Sequence, residues 1–98
     1  MKEIVQDRLG NTVYLTDERW RHIVNRHSIL RNFKDATLKT IRIGKRNQDE
    51  LYPDQFFYRQ AFSNLPSNYT HIEVVVIFRF KKDQPNNFVV TAYPITQL

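Results

Sequence analysis

The run from Tyr69 to Phe80 constrains this chain more than any other stretch. Ile72, Val74, Val76, Phe78 and Phe80 alternate with His71, Glu73, Val75, Ile77 and Arg79. A period of two is the pleat of a β-strand, and the wholly apolar set is the core-facing one. The second set is apolar in the middle and polar at its ends, as expected of a sheet face that is partly covered. Phe56–Phe62 and Phe88–Ile95 have the same β-branched and aromatic character. Asn64 to Asn68 and Lys81 to Asn87 supply the connections, and links this short make consecutive strands antiparallel neighbours. In the last run, strict alternation sets Phe88, Val90 and Ala92 on one face and Val89, Thr91 and Tyr93 on the other.

The first half of the chain has a different period. Residues 3–15 read as a hairpin turning at Leu9-Gly10-Asn11, where Gly10 or Asn11 takes a positive φ. Thr16 is an N-cap, and Asp17 and Glu18 fall in the first turn, where acids complement the helix dipole. The helix is expected over Asp17–Arg26. Trp20, Ile23, Val24 and His27 fall along its apolar stripe, with Arg19, His22 and Arg26 on the other side. Trp20 is assigned to the core. A second helix is expected over Phe33–Ile43, with Gly44 at the C′ position and Lys34, Lys39 and Arg42 on its exposed side. Residues 45–54 are polar and contain Pro53, which reads as a loop with a short strand near Leu51. Helices followed by strands make an α+β order in one domain spanning 1–98. The expected architecture is an N-terminal β-hairpin and two helices packed on a twisted antiparallel sheet of about three to four strands.

Composition bounds what such a domain does. The 98 residues include no cysteine, which removes disulfide scaffolds, thiolate nucleophiles and Cys-ligated zinc. No stretch has the apolar length of a signal peptide or a membrane span, so the expectation is a soluble, cytoplasmic protein with no membrane partner. The net charge of +5 is unevenly placed. Arg19, Arg21, Arg26, Arg31, Lys34, Lys39, Arg42, Lys45 and Arg46 lie within a segment whose only acid is Asp35. The remainder of the chain is slightly acidic. A basic block on an acidic body points to a polyanionic partner, or else to an ordinary solvated helix surface.

Several chemistries are excluded by inventory. Gly10 and Gly44 are the only glycines, so no phosphate-cradling glycine loop exists. His22 and His27 are five apart, about 140° around a helix, with no carboxylate to complete a metal set. Ser28, Ser63 and Ser67 lie in turn-like contexts unsuited to a nucleophile. A basic surface with histidines, hydroxyls and aromatics remains, and it suits RNA cleavage without metal or cofactor. There the ribose 2′-OH attacks the adjacent phosphorus. The protein supplies only a general acid, a general base and cations for the charge that develops. Imidazole changes charge near neutral pH, and Arg or Lys holds phosphate.

The string YLTDERWRHIVNRH, followed by a basic helix and a strand series ending in FVVTAYP, resembles the phage-type branch of the barnase–EndoU–colicin–RelE (BECR) nuclease superfamily. The likeness runs from about Tyr14 to Pro94. It implies helices packed on an antiparallel sheet and metal-independent endoribonuclease activity, often as a toxin held in check by an acidic antitoxin or immunity protein. It also implies a site built from a helix-borne histidine, basic residues and a polar residue on the last strands. Carried onto this chain, these are His22, His27, Arg26, Arg59, and Thr91 or Tyr93. Arg19, Lys39, Arg42, Lys45, Arg46 and Tyr58 are the candidates for contacting RNA, whether tRNA or mRNA.

Each residue also has a plainer role. His27 either closes its helix and fills the core or acts at the site, and His22 is either an ordinary surface histidine or a catalytic base. Arg59 either pairs with Glu73 or faces a phosphate. Tyr58, Tyr69 and Tyr93 are packing aromatics or stacking platforms, Thr91 is a good strand former, and His71 reads as structural. Two other classes of function fit the same charge pattern: a nucleic-acid-binding module without catalysis, and a protein-interaction domain.

Overall fold

The computed structural model describes residues 1–97. In chain order the elements are β1 (Lys2–Gln6), β2 (Thr12–Thr16), α1 (Asp17–Arg26), a 3₁₀ turn (Ser28–Asn32), α2 (Lys34–Ile43), β3 (Lys45–Gln48), β4 (Gln55–Ala61), β5 (His71–Ile77), β6 (Phe80–Lys81), β7 (Gln84–Pro85) and β8 (Asn87–Ile95). Two helices pack on a mixed sheet of six strands in the order β1-β2-β8-β5-β4-β3. That is more than the three or four strands expected. The N-terminal hairpin joins the sheet as two further strands, and β3 adds a third. One pair is parallel: Val13 and Tyr14 of β2 lie opposite Asn87 and Phe88 of β8. The Asn87 side chain donates to the Thr12 carbonyl at 3.0 Å, and the Tyr14 hydroxyl donates to Asn86 at 3.2 Å, which fastens this short junction.

The start of α1 follows its sequence signals. Thr16 is the N-cap, its hydroxyl accepting from the Arg19 N–H at 3.0 Å, and the helix ends at Arg26. The α2 helix covers one face of the sheet with Leu38 and Ile41, against Ile72, Val74 and Val76 of β5. Thr37 and Thr40 are fully buried on the same helix, which is possible because each hydroxyl donates back to a carbonyl one turn earlier at 2.8 Å. Gly44 ends α2, but not through a left-handed turn, since its φ is −71°. A Cβ there would stand 2.8 Å from the Arg59 carbonyl oxygen and closer still to that of Thr40. Only glycine lets the chain pass from α2 into β3 this close to β4. Gly44→Ala is expected to cost about 2 kcal/mol of overpacking, read as a lower urea midpoint.

Strict alternation along β8 fails at one place. Val76 pairs with Val89 and Val75 with Thr91, so Val90 is the extra residue of a β-bulge. The bulge puts Val89 and Ala92 together on the core side, whereas Thr91 and Tyr93 pair with Val75 and Glu73 and face the other way. Phe80 was expected in the core, yet it is 78% exposed, because β5 ends at Ile77 and the chain turns into the β6–β7 ribbon. The strand expected near Leu51 is found earlier, at β3, and Leu51 is exposed in the loop that follows.

Tyr58 is buried on the core face and donates to Asp7 at 2.6 Å. Asp7 shapes the β1–β2 turn, accepting from the N–H groups of Leu9 and Asn11 at 2.9 and 2.8 Å and from the Asn11 side chain at 2.9 Å. Gly10 supplies the positive φ, 87°. One carboxylate thus ties a surface turn to a core aromatic 51 residues away in sequence.

Candidate functional site

The face of the sheet away from α2 is built by the pleat. Thr91 and Tyr93 of β8, Glu73 and Val75 of β5, Phe57 and Arg59 of β4, and Lys45 and Asn47 of β3 lie in register across it. Beyond Tyr14, β2 parts from β8 while staying paired with β1 to Thr16, and the chain then becomes α1, which packs alongside β8. Ile23 anchors α1 in the core. The polar side of the helix then closes a cleft of about 470 Å³ against the sheet, lined by Arg19, His22, Ile23, Arg26, Val90 and Thr91. No acid among the described residues lines it. The bulge residue Val90 and its neighbour Thr91 form the strand side of this cleft.

His27 sits one residue beyond the helix, its N–H donating to the Ile23 carbonyl at 2.8 Å. Its half-buried ring packs against Tyr93, with centroids 6.0 Å apart. The Tyr93 hydroxyl donates to Glu73 Oε2 at 2.6 Å, and Arg59 donates to Glu73 Oε1 through Nη2 at 2.8 Å and Nε at 3.1 Å. A chain of contacts therefore runs from α1 across three strands: His27, Tyr93, Glu73, Arg59. Burial, then the hydrogen bond to Glu73, pushes the Tyr93 hydroxyl well above the usual tyrosine range. It stays a neutral donor throughout the physiological range.

Most of the expected site residues are thus brought together. Arg19, His22, Arg26 and Thr91 share one cleft, and His27, Tyr93 and Arg59 line up beside it. Arg59 meets Glu73, so its charge is already matched inside the protein. Four of the expected RNA contacts do not share this face. Lys39 and Arg42 project from the outer side of α2, which the burial of Leu38 and Ile41 directs away from the sheet. Arg46 lies opposite Tyr58 on the core side, its guanidinium 4.5 Å from the Phe56 ring centroid and 5.4 Å from that of Phe78. Tyr58 is in the core and cannot stack on a base. Lys45 is exposed on the sheet edge opposite Arg59.

Glu73 is the residue that sequence reasoning undervalued, as a mere partner for Arg59. Its signal was visible: it is the only acid in the Tyr69–Phe80 run, set in the middle of an apolar strand. It is 8% exposed and organises both neighbours. Glu73→Gln keeps the shape and removes the charge, and is expected to cost about 1.5 kcal/mol in thermal denaturation. Combined with Tyr93→Phe the losses should be less than additive, because both remove the same hydrogen bond.

Among the described residues, no three His, Asp or Glu side chains come together as metal ligands, and no helix is long and apolar enough to cross a membrane. Compared with protein-family models, curated proteins and solved structures, the chain matches none.

Proposed function

We propose that this protein is a metal-independent endoribonuclease whose active site is the cleft between α1 and β8. The observation that carries the reading is the lining of that cleft. His22 stands with Arg19 and Arg26 on one wall and Thr91 on the other, with no carboxylate among the described residues lining the cleft to neutralise the cations. Arg19 and Arg26 hold a phosphodiester and take up the negative charge that grows as the ribose 2′-OH attacks phosphorus. The 2′-OH proton leaves to one imidazole and the 5′-oxygen receives a proton from another, the candidates being His22 and His27. The P–O5′ bond breaks, leaving a 2′,3′-cyclic phosphate and a 5′-hydroxyl. The Thr91 hydroxyl is a neutral donor within the same cleft. Glu73 holds Tyr93, and Tyr93 backs the His27 ring, so this side of the site is braced by the sheet. The resemblance of the Tyr14–Pro94 segment to BECR nucleases points to the same chemistry. An acidic protein that covers Arg19 and Arg26 would silence it, which is the antitoxin relationship the resemblance implies.

The test is incubation with total RNA in EDTA, followed by analysis of fragment ends. Cyclic phosphate and 5′-hydroxyl ends are expected, and DNA of the same sequence should be bound but not cut. Intact RNA, or 5′-phosphate ends, would overturn the reading.

A further inference from the structure

A second basic cleft lies at the far edge of the same sheet. There β3 is too short to pair with the end of β4, and the gap forms a cavity of about 380 Å³ whose lining includes Arg8, Lys45, Asn47, Arg59, His71 and Gln97, with no acid among the described residues. Arg8 and Lys45 also border a cavity of about 250 Å³ at the β1–β2 turn, and Asn47 and Arg59 border one of about 260 Å³ that opens onto Phe57 and Glu73. Arg8 and Lys45 thus join the first two depressions, and Asn47 and Arg59 join the second to the third, beside Glu73.

Two details point to an anionic occupant. Lys45 lies directly across from Arg59, whose guanidinium is taken up by Glu73 and Gln97, so Lys45 and Arg8 are the cations of this cleft left for a ligand. Among the described residues, neither Arg8 nor Lys45 has a carboxylate within ion-pair distance. The one acid near them, Asp7, has its oxygens engaged by Leu9, Asn11 and Tyr58. His71 Nδ1 lies 2.6 Å from the Thr70 hydroxyl, which leaves Nε2 as the ring nitrogen free for a ligand.

We infer that this edge cleft is a second phosphate site, which holds the backbone of the same single-stranded polynucleotide that enters the α1 cleft. The inference rests on the proposed function for its substrate. From β8 to β3 is three strand spacings, about 14 Å. At about 3.4 Å per stacked nucleotide, that is about four nucleotides of strand. A dinucleotide cannot reach both sites, and an octanucleotide can.

The experiment uses uncleavable 2′-O-methyl oligonucleotides of two and eight nucleotides, with the intact protein and its Arg8→Ala and His71→Gln variants. Unchanged melting temperatures confirm that the variants fold. Each variant should bind the octanucleotide about 5-fold more weakly, and Arg8→Ala, which removes a fixed cation, should also flatten the log–log salt slope by about 0.7. The dinucleotide should show no such drop. Unchanged octanucleotide affinity overturns the inference, as does an equal loss for both lengths or a wild-type protein that binds no octanucleotide. If the length-dependent loss is found but unmodified RNA survives in EDTA, the edge site stands and the nuclease reading falls.

Discussion

Replacing His22 or His27 is expected to slow RNA cleavage by about 10²- to 10⁴-fold each, the range for loss of a positioned proton-transfer group. His22 is exposed, so His22→Ala should leave the melting temperature unchanged. His27 packs on Tyr93, and His27→Gln is the better variant because it retains bulk and a polar end. Both variants should still bind uncleavable RNA, since Arg19 and Arg26 remain in the cleft. Cleavage is measured on a defined oligoribonucleotide in EDTA, alongside binding of its 2′-O-methyl form. Full activity in both variants would remove histidine from the mechanism. Loss of binding in step with cleavage would reduce the two residues to contacts. A strong rate effect with preserved binding is the signature of an interaction made in the transition state.

The largest stability effect is expected at Asp7. Asp7→Ala leaves the buried Tyr58 hydroxyl without its partner, costing about 1–3 kcal/mol, and removes the acceptor of two turn N–H groups as well. The total should be about 3 kcal/mol, or a melting temperature lower by roughly 15 °C. Tyr58→Phe should cost less, because Asn11 still satisfies the carboxylate. The pH dependence follows from the same contacts. Burial alone would raise the Asp7 carboxyl, but the hydrogen bonds from Tyr58, Asn11 and Leu9 outweigh it and hold it below the usual aspartate range. A carboxyl lowered by folding stabilises the protein above its unfolded pKa, about 3.9, and this stabilisation is lost as pH falls through the folded value. The gap in stability between wild type and Asp7→Asn should therefore narrow below about pH 4, as checked by urea melts at stepped pH. Tyr58 and Tyr93 act in the opposite direction. Burial and a carboxylate partner raise both hydroxyls, so their contribution is complete below about pH 10 and declines in stronger base.

What was legible in the sequence was local. The limits of α1 could be read because Thr16, Asp17 and Glu18 mark its start and an apolar stripe at helical spacing follows. The core side of β5 could be read from simple alternation, and Ile72, Val74 and Val76 are all fully buried. The misses depend on distant parts of the chain. β3 is Lys-Arg-Asn-Gln, with no apolar pattern, and is a strand only because Gly44 delivers it to the edge of β4. The β2–β8 pairing is parallel and joins residues more than 70 apart, which no short-range rule suggests. Alternation along β8 misplaced Val89 because a bulge adds one residue without any glycine to announce it. The same applies to the site. His22, Arg26 and Thr91 were singled out as chemistry-bearing residues, but their meeting in one cleft depends on β2 parting from β8 before α1 begins. Tyr58 looked available for stacking because nothing local reveals its bond to Asp7. The grouping of Arg8, Lys45 and His71 has no trace in sequence order.

The cleft between α1 and β8 has walls made at very different moments of synthesis. A ribosome that has reached Phe80 has already made His22, His27 and the arginines beside them, yet the segment carrying Thr91 and Tyr93 does not exist. A nascent chain of that length has its reagents and no vessel. On the proposed nuclease reading, the chain is expected to cut no RNA, its own message included, until β8 has been made and has docked.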